Sequence, residues 1–233
     1  MNQIKTSVIV PSKNEEKFIE NCLKALKHQT KKCEIILVDG HSTDRTRKIA
    51  KKYADQIILD DKKGIANARN IGAKIAKGEI IAYCDADAIP KKNWVENIEK
   101  EIKGNIAVYG PVIPYDGSKK TKAGLIFINN LVRFFHIMKT PIFCATNLAV
   151  KKSILLKHKF NENFHILEDY ELGSRLVKYG KIKYSKKIKM PISSRRFENK
   201  LLNTIFNHYI RNAYRLKTGK PIDPGKYWSE LKK

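Results

Sequence analysis

The sequence predicts an α/β fold in which a mostly parallel sheet is covered by helices on both faces. Three observations carry this. Short, continuously apolar runs recur through residues 1–116, as in strands buried on both faces rather than one. Segments of helical periodicity follow these runs. The connections are short and marked by Asp-Gly, Gly or Pro, which suits strand–helix–strand crossovers. With 233 residues and 42% hydrophobic side chains, the chain can build one substantial core and does not have the composition of a disordered protein.

Residues 7–10 form a β-branched run that Pro11 stops. Residues 15–28 place Phe18, Ile19, Cys22, Leu23 and Leu26 on one helical face. A second run, 35–38, ends at Asp39-Gly40, after which Ser42 or Thr43 is placed to cap a helix over 44–53. Residues 56–59 read as a third strand and 66–76 as a third helix, closed by Gly78. Residues 80–84 are a fourth strand running into Asp85-Ala86-Asp87. A helix over 94–102 and a fifth strand over 106–109 precede Gly110-Pro111.

After Pro114 the alternation breaks. Residues 115–122 read as a Gly/Ser/Lys loop, and 125–138 as a helix apolar almost all round, with Asn129, Asn130, Arg133 and His136 in a narrow polar stripe. Residues 169–179 put Leu172, Leu176 and Val177 inward, with Gly180 closing the helix. Residues 182–184 and 188–192 look like strands, and Ser193-Ser194-Arg195-Arg196 follows the second. Residues 201–216 are amphipathic, with Leu201, Leu202, Ile205, Phe206, Tyr209, Ile210 and Ala213 on one face.

The charge is uneven. Lys and Arg number 47 against 23 Asp and Glu, a net +24. Residues 1–116 hold 21 basic and 16 acidic side chains, a net +5; residues 117–233 hold 26 and 7, a net +19. Such a field attracts phosphate, whether on nucleic acid, anionic lipid or a small diphosphate. A Lys-rich composition of the thermophile kind gives the same count, since 38 of the 47 bases are Lys. The basic residues are scattered lysines without the aromatic–basic interleaving of an RNA module, so no nucleic-acid partner is expected. Cys22, Cys33, Cys84 and Cys144 show no paired spacing, which points away from a disulfide framework or zinc site and toward a reducing, cytoplasmic setting. Residues 1–7 lack the apolar core of a signal peptide, and no window reaches 18 apolar residues.

Ligands of parallel sheets bind beyond the carboxyl ends of the strands, and the candidate residues fall there. Asp85 and Asp87, two residues apart at the end of a buried strand, are expensive to bury unpaired. They suit a shared Mg²⁺ or Mn²⁺, which prefers hard oxygens from carboxylate and phosphate together. Asp39 could accept from the imide N–H of uracil or from guanine N–H groups. Pro11-Ser12-Lys13-Asn14-Glu15-Glu16 closes the first strand. Glu15 and Glu16 suit a helix N-terminus, and Glu15 gains a ligand role because Asp39 and Asp85 open on the same edge. Arg69 could reach a phosphate or base. Glu168-Asp169 is either a dipole-favoured carboxylate pair or the source of a general base for an acceptor hydroxyl. Sugar-phosphate nucleotidyltransferases also use paired carboxylates, but they usually need a Gly-rich signature after the first strand, and residues 11–16 contain no glycine.

In this order and spacing, V-P-S-K-N-E-E, V-D-G-H-S-T-D-R-T, G-x-x-x-A-R-N-x-G, D-A-D and E-D-Y-E-L-G-S-R-L resemble the family 2 glycosyltransferases over roughly residues 5–185. The resemblance implies an inverting enzyme on the Rossmann-like GT-A fold, taking a UDP- or GDP-sugar donor. It implies a domain over 1–198, with 1–116 the donor half and 117–198 the acceptor half, and a helical extension over 199–233. It places Pro11, Ser12, Lys13, Glu15, Asp39, Arg69, Asp85 and Ala86 around the nucleotide-sugar and Asp85 and Asp87 at a Mg²⁺ or Mn²⁺. Asp169 becomes the base, Asn147 an acceptor-side structural position, and Glu168, Arg195 and Arg196 groups near the diphosphate or a phosphorylated acceptor. Lys13 stands where many members carry an aromatic. The Q-x-x-R-W signature of processive synthases is absent, which favours transfer of a single sugar, to a sugar or lipid-phosphate acceptor. The apolar 125–138 segment and the 201–216 segment, with Arg211 and Arg215 on its polar side, either meet an anionic membrane surface on the cytoplasmic side or pack on the sheet or a second subunit.

Overall fold

The computed structural model describes residues 4–139, 141–164 and 167–198. The expected 201–216 helix and the tail after it lie outside the described residues. The elements run β1 (Thr6–Ser12), α1 (Ile19–Lys27), β2 (Glu34–Asp39), α2 (Thr46–Ala50), β3 (Gln56–Leu59), α3 (Ile65–Ile75), β4 (Ile80–Tyr83), α4 (Trp94–Glu101) and β5 (Ala107–Tyr109). Then come β6 (Val112–Pro114), α5 (Lys119–Ile137), a 3-10 turn (Ala145–Asn147), β7 (Leu148–Lys151), α6 (Lys152–His158), α7 (Glu168–Leu176), β8 (Ile182–Tyr184) and β9 (Met190–Ile192).

Seven strands form one sheet in the order β3-β2-β1-β4-β7-β5-β8, and β6 pairs with β9 beside it. All pairings in the large sheet are parallel except those of β7, which runs antiparallel between β4 and β5. Alternation along each strand divides the core in two. Val8, Val10, Ile35 and Leu37 face α1 and α4 with Leu23, Trp94 and Ile98. Ile9, Ile36, Val38 and Ile81 face the other way, with Ala68 and Ala73 of α3, Leu155 of α6 and Leu172 and Leu176 of α7. Both faces are covered, as the continuous apolar runs require. The approach of α3 to β1 is close: a Cβ on Gly72 would lie 2.6 Å from Cγ2 of Ile9.

The structure departs from the sequence expectations at several places, the unforeseen β6 and the earlier end of α7 at Leu176 among them. β1 passes through Pro11 and reaches Ser12. Cys84 N–H donates to the Ile9 carbonyl on the β4 side, and Gly40 N–H donates to the Ser12 carbonyl on the β2 side. By alternation the Pro11 nitrogen faces β4, whose pairing with β1 ends at Ile9, so the missing donor breaks no ladder. α2 is shorter than expected, and neither Ser42 nor Thr43 caps it; Ser42 is drawn instead to Asp39. The expected 115–122 loop is helical from Lys119, because the Ser118 hydroxyl accepts from Thr121 N–H at 3.2 Å and caps α5. β7 and α6 were not foreseen, since β7 shows only three consecutive apolar residues.

All four cysteines are free thiols, with Cys22 and Cys84 buried. Among the described residues no helix is long and apolar enough to cross a membrane.

Candidate active site

The register of the parallel strands puts Ser12 opposite Asp39, and β4 ends beside β1 just before Asp85. The ends of β1, β2 and β4 therefore open on one edge. A second route brings residues 193–196 to the same place. Ile192 forms an antiparallel bridge with Ala88, Ile89 N–H donates to the Pro191 carbonyl at 2.8 Å, and Ser193 N–H donates to the Asp87 carbonyl at 3.1 Å. Asp116 clamps the turn, accepting from the Ser193 hydroxyl at 2.8 Å and from Ser194 N–H at 2.6 Å.

Three carboxylates and two guanidinium groups meet there. Arg195 Nη2 donates to both oxygens of Glu15, at 2.7 and 2.5 Å, and its Nε donates to Asp87 Oδ2 at 3.0 Å. The same guanidinium lies 4.2 Å from the centroid of the Phe18 ring, a cation–π contact that fixes its plane. Arg196 reaches Glu15 Oε1 at 3.1 Å, Asp87 Oδ2 at 3.4 Å and Asp85 Oδ2 at 4.0 Å. Glu15 and Asp87 are buried, at 7% and 5% exposure. Burial raises the Glu15 carboxyl above its ordinary range, although both arginines oppose the shift. Burial also raises Asp85, against the pull of Arg196 and Arg69. Beside Asp39, the Ser12 hydroxyl is buried with no hydrogen-bond partner, a loss that a ligand at this edge would relieve.

A second ionic group joins this edge to α7. Arg69, on α3, is 3% exposed. Its Nη1 donates to Glu168, and its Nη2 lies 3.9 Å from Asp85 Oδ1. Glu168 and Asp169 begin α7 directly after Leu167, which takes a left-handed backbone with φ 58°. Asp169 accepts from Ala145 N–H at 3.0 Å and from Tyr170 N–H at 2.8 Å. Burial first, and the neighbouring Glu168 carboxylate second, raise Asp169 to about 7 against the pull of Arg69. A carboxyl group in that range can hold and release a proton near neutrality.

The remaining candidates divide. Asp39 is fully buried, and Ser42 occupies both its oxygens, with N–H at 2.9 Å and the hydroxyl at 2.5 Å; Arg47 stands 3.5 Å away. Pro11 is half-buried, Lys13 exposed and Ala86 buried at the same edge. Asn147 holds structure: its Oδ1 accepts from Trp94 Nε1 at 2.9 Å, and its Nδ2 donates to the carbonyls of Pro111 and Ile188. His41 sits in its turn with φ 61° and meets the Asp60 carbonyl through Nε2. Three site residues escaped sequence reasoning. Asp116 and Phe18 carry no signal of their own. Thr146, which accepts from Asp85 N–H at 3.1 Å, stands next to the flagged Asn147.

Asp85 and Asp87 fit a hard divalent cation as a two-carboxylate set, the kind that is completed by phosphate oxygens and water. Among the described residues no group of three or more His, Cys, Asp and Glu is placed to hold a metal alone, so the fit depends on a phosphate-bearing partner.

Comparison with known proteins gives the same frame. The Glycosyl transferase family 2 profile matches residues 7–160. Glycosyltransferase GlyG of Streptococcus pneumoniae is 30% identical over 178 residues, covering 71% of this chain and 55% of that protein. Glycosyltransferase AglE of Haloferax volcanii is 36% identical over 107 residues, covering 42% and 35%. The chain thus spans about half or less of these relatives. Among solved structures, the Pyrobaculum calidifontis mannosyltransferase PcManGT, in complex with GDP-Man and Mn²⁺, superposes with a TM-score of 0.69 at 21% identity, covering 92% of this chain and 65% of that one. S. aureus TarS in complex with UDP gives 0.67 at 18%, covering 92% and 75%. These structures share the GT-A fold described above, and the profile spans β1, β2 and β4, whose ends build the edge, while α7 and residues 193–196 lie beyond it. The chain belongs to glycosyl transferase family 2.

Proposed function

We propose that this chain transfers a single sugar from a nucleoside diphosphate sugar to an acceptor hydroxyl, with inversion at the anomeric carbon. The observation that carries this reading is the juxtaposition of Glu15, Asp85 and Asp87 with Arg195 and Arg196, joined through Arg69 and Glu168 to the helix that bears Asp169. The nucleotide lies along the ends of β1 and β2, where the Ser12 hydroxyl awaits a partner and Asp39 is buried beneath. Asp85 and Asp87 would hold a Mg²⁺ or Mn²⁺, which would supply neutralising charge to the departing diphosphate. Arg195 and Arg196 turn from Glu15 and Asp87 toward the incoming phosphates, whose charge and paired oxygens suit the planar guanidinium fork. Asp169 takes the proton from the acceptor oxygen. That oxygen forms the new bond to the anomeric carbon while the bond to the diphosphate breaks on the opposite side.

The solved neighbours in complex with GDP-Man and Mn²⁺ and with UDP support both the donor class and the cation. A thermal-shift and hydrolysis screen of UDP-, GDP- and dTDP-sugars, with and without Mn²⁺, tests the reading. One donor class should stabilise the protein, and Mn²⁺ should deepen that shift. Stabilisation by none of the three, with or without the cation, overturns it.

A further inference from the structure

The exposed side of α5 carries an apolar strip that the catalytic reading leaves unused. Ile126, Phe127, Phe134, Ile137 and Met138 are 55–65% exposed, while Thr121 and Leu125 on the opposite side are buried. Helical spacing puts the exposed set along one face from Ile126 to Met138, about 18 Å. Basic residues frame it: Lys119, Lys120 and Lys122 at the first turn, Arg133 beside the strip and Lys139 just past its end. No Asp or Glu stands between Asp116 and Glu162 in the sequence. The acids that approach the start of α5 are engaged, Asp116 by Ser193 and Ser194 and Glu198 by Ser118 N–H.

We propose that this face of α5 docks on an anionic lipid bilayer. The helix lies in the interface, with the apolar strip among the acyl chains and the lysines and Arg133 at the headgroups. An exposed apolar face framed by cations is the pattern of a helix that rests on a membrane surface, and each Lys or Arg near such a surface adds attraction to anionic lipid. Charge decides among the occupants. A second copy meeting this face two-fold would set two basic-framed faces together, and like charges oppose that contact. The 199–222 sequence offers no complement either, since it contains Lys200, Arg211, Arg215, Lys217 and Lys220 and no acid. Lipid phosphate supplies the missing charge. The contact also lies near the site. Asn129 of α5 holds both main-chain groups of Val112 on β6, at 2.7 and 3.1 Å. Past the end of that strand, the Tyr115 hydroxyl donates to the Asp87 carbonyl at 3.3 Å. A bilayer against α5 is therefore one helix and one short strand away from the Asp85–Asp87 edge.

The test floats the full chain with phosphatidylcholine vesicles that contain or lack phosphatidylglycerol. The chain should bind the phosphatidylglycerol vesicles at least about tenfold more tightly, and less tightly as salt rises. A net charge of +24 attracts anionic lipid from any side, so the deciding variant is apolar. Phe127→Ser combined with Phe134→Ser keeps every charge and should weaken binding at least about tenfold. It should move the melting temperature by no more than about 4 °C, as befits an exposed face. Lys119→Gln, Lys120→Gln and Lys122→Gln together should weaken binding to a similar degree at low salt. Binding that the double Phe variant leaves unchanged belongs to the charge of the whole protein and overturns the proposal. A melting temperature that falls well beyond that limit overturns it as well, because the chain itself then covers the strip. So does a dimer, seen by sedimentation equilibrium without lipid, that the double Phe variant dissolves; the strip then belongs to a second copy.

Discussion

At the scale of single residues, Asp169 carries the sharpest expectations. Its carboxyl is raised to about 7 by burial and by Glu168, and a general base works only when deprotonated. Transfer should therefore climb as pH rises from about 6 to 8, read as initial rate at saturating donor. Asp169→Asn should cut transfer to a hydroxyl acceptor by about two to four orders of magnitude and leave donor binding in place. Stability moves the opposite way. A carboxyl whose folded pKa exceeds its unfolded value favours the fold when protonated, so its contribution is greatest in acid and is lost as pH rises toward about 7. Asp169→Asn should accordingly gain more in melting temperature over wild type at pH 8 than at pH 5; an equal gain at both would contradict the assignment. Arg69 makes the complementary case. Removing it as Arg69→Met strands the buried Glu168 carboxylate without its ion-pair partner, at a cost of about 3–5 kcal/mol, measurable by urea titration. The sequence marks Arg69 as a group for phosphate or base, because its partner stands 99 residues away and no local pattern reports that its helix face is buried. Glu15, Asp85, Arg195 and Arg196 were each visible as site candidates. That the arginines sit on the carboxylates depends on a bridge between residues 88 and 192, which spacing cannot reveal.

Among the elements, legibility follows the strength of the local signal. β3 and β8 match their expected bounds, and α1, α3 and α4, specified by apolar periods and clear turn residues, lie within their expected regions or one residue outside. β7 did not show, since Leu148-Ala149-Val150 between Asn147 and Lys151 is too brief to separate from a loop. Its antiparallel direction is a property of its neighbours rather than of its residues. The contact of α3 with β1 is the element-level feature most open to test. Gly72 is pressed against Ile9, leaving no room for a methyl group. Gly72→Ala should gain helix propensity yet lose about 1–3 kcal/mol through overpacking, seen as a lower urea midpoint with unchanged slope. A stabilised variant would mean that α3 can slide on the sheet.

For the molecule as a whole, charge and chain order bind the two halves. Glu101 at the end of α4 meets Lys183 at 2.9 Å and Lys187 at 3.1 Å. Those contacts, with Lys183 first, hold its carboxyl down to about 2. Because that pKa is depressed, the link is intact above the ordinary Glu range and is lost as pH falls through about 2. Glu101→Gln should therefore narrow the gap between melting temperatures at pH 7 and pH 3. The insertion of β7 between β4 and β5 has a consequence for the ribosome. β4 is complete at Tyr83, but the strand that covers its outer edge begins at Leu148. While the intervening residues are synthesised, the nascent chain carries a buried-type strand with one edge bare, and β5 has no neighbour through which to join the sheet. A bare apolar edge invites pairing with other chains. Stalled nascent chains exposing residues up to about 140 should remain protease-sensitive and hold chaperone, whereas those exposing residues up to 198 should resist proteolysis and release it.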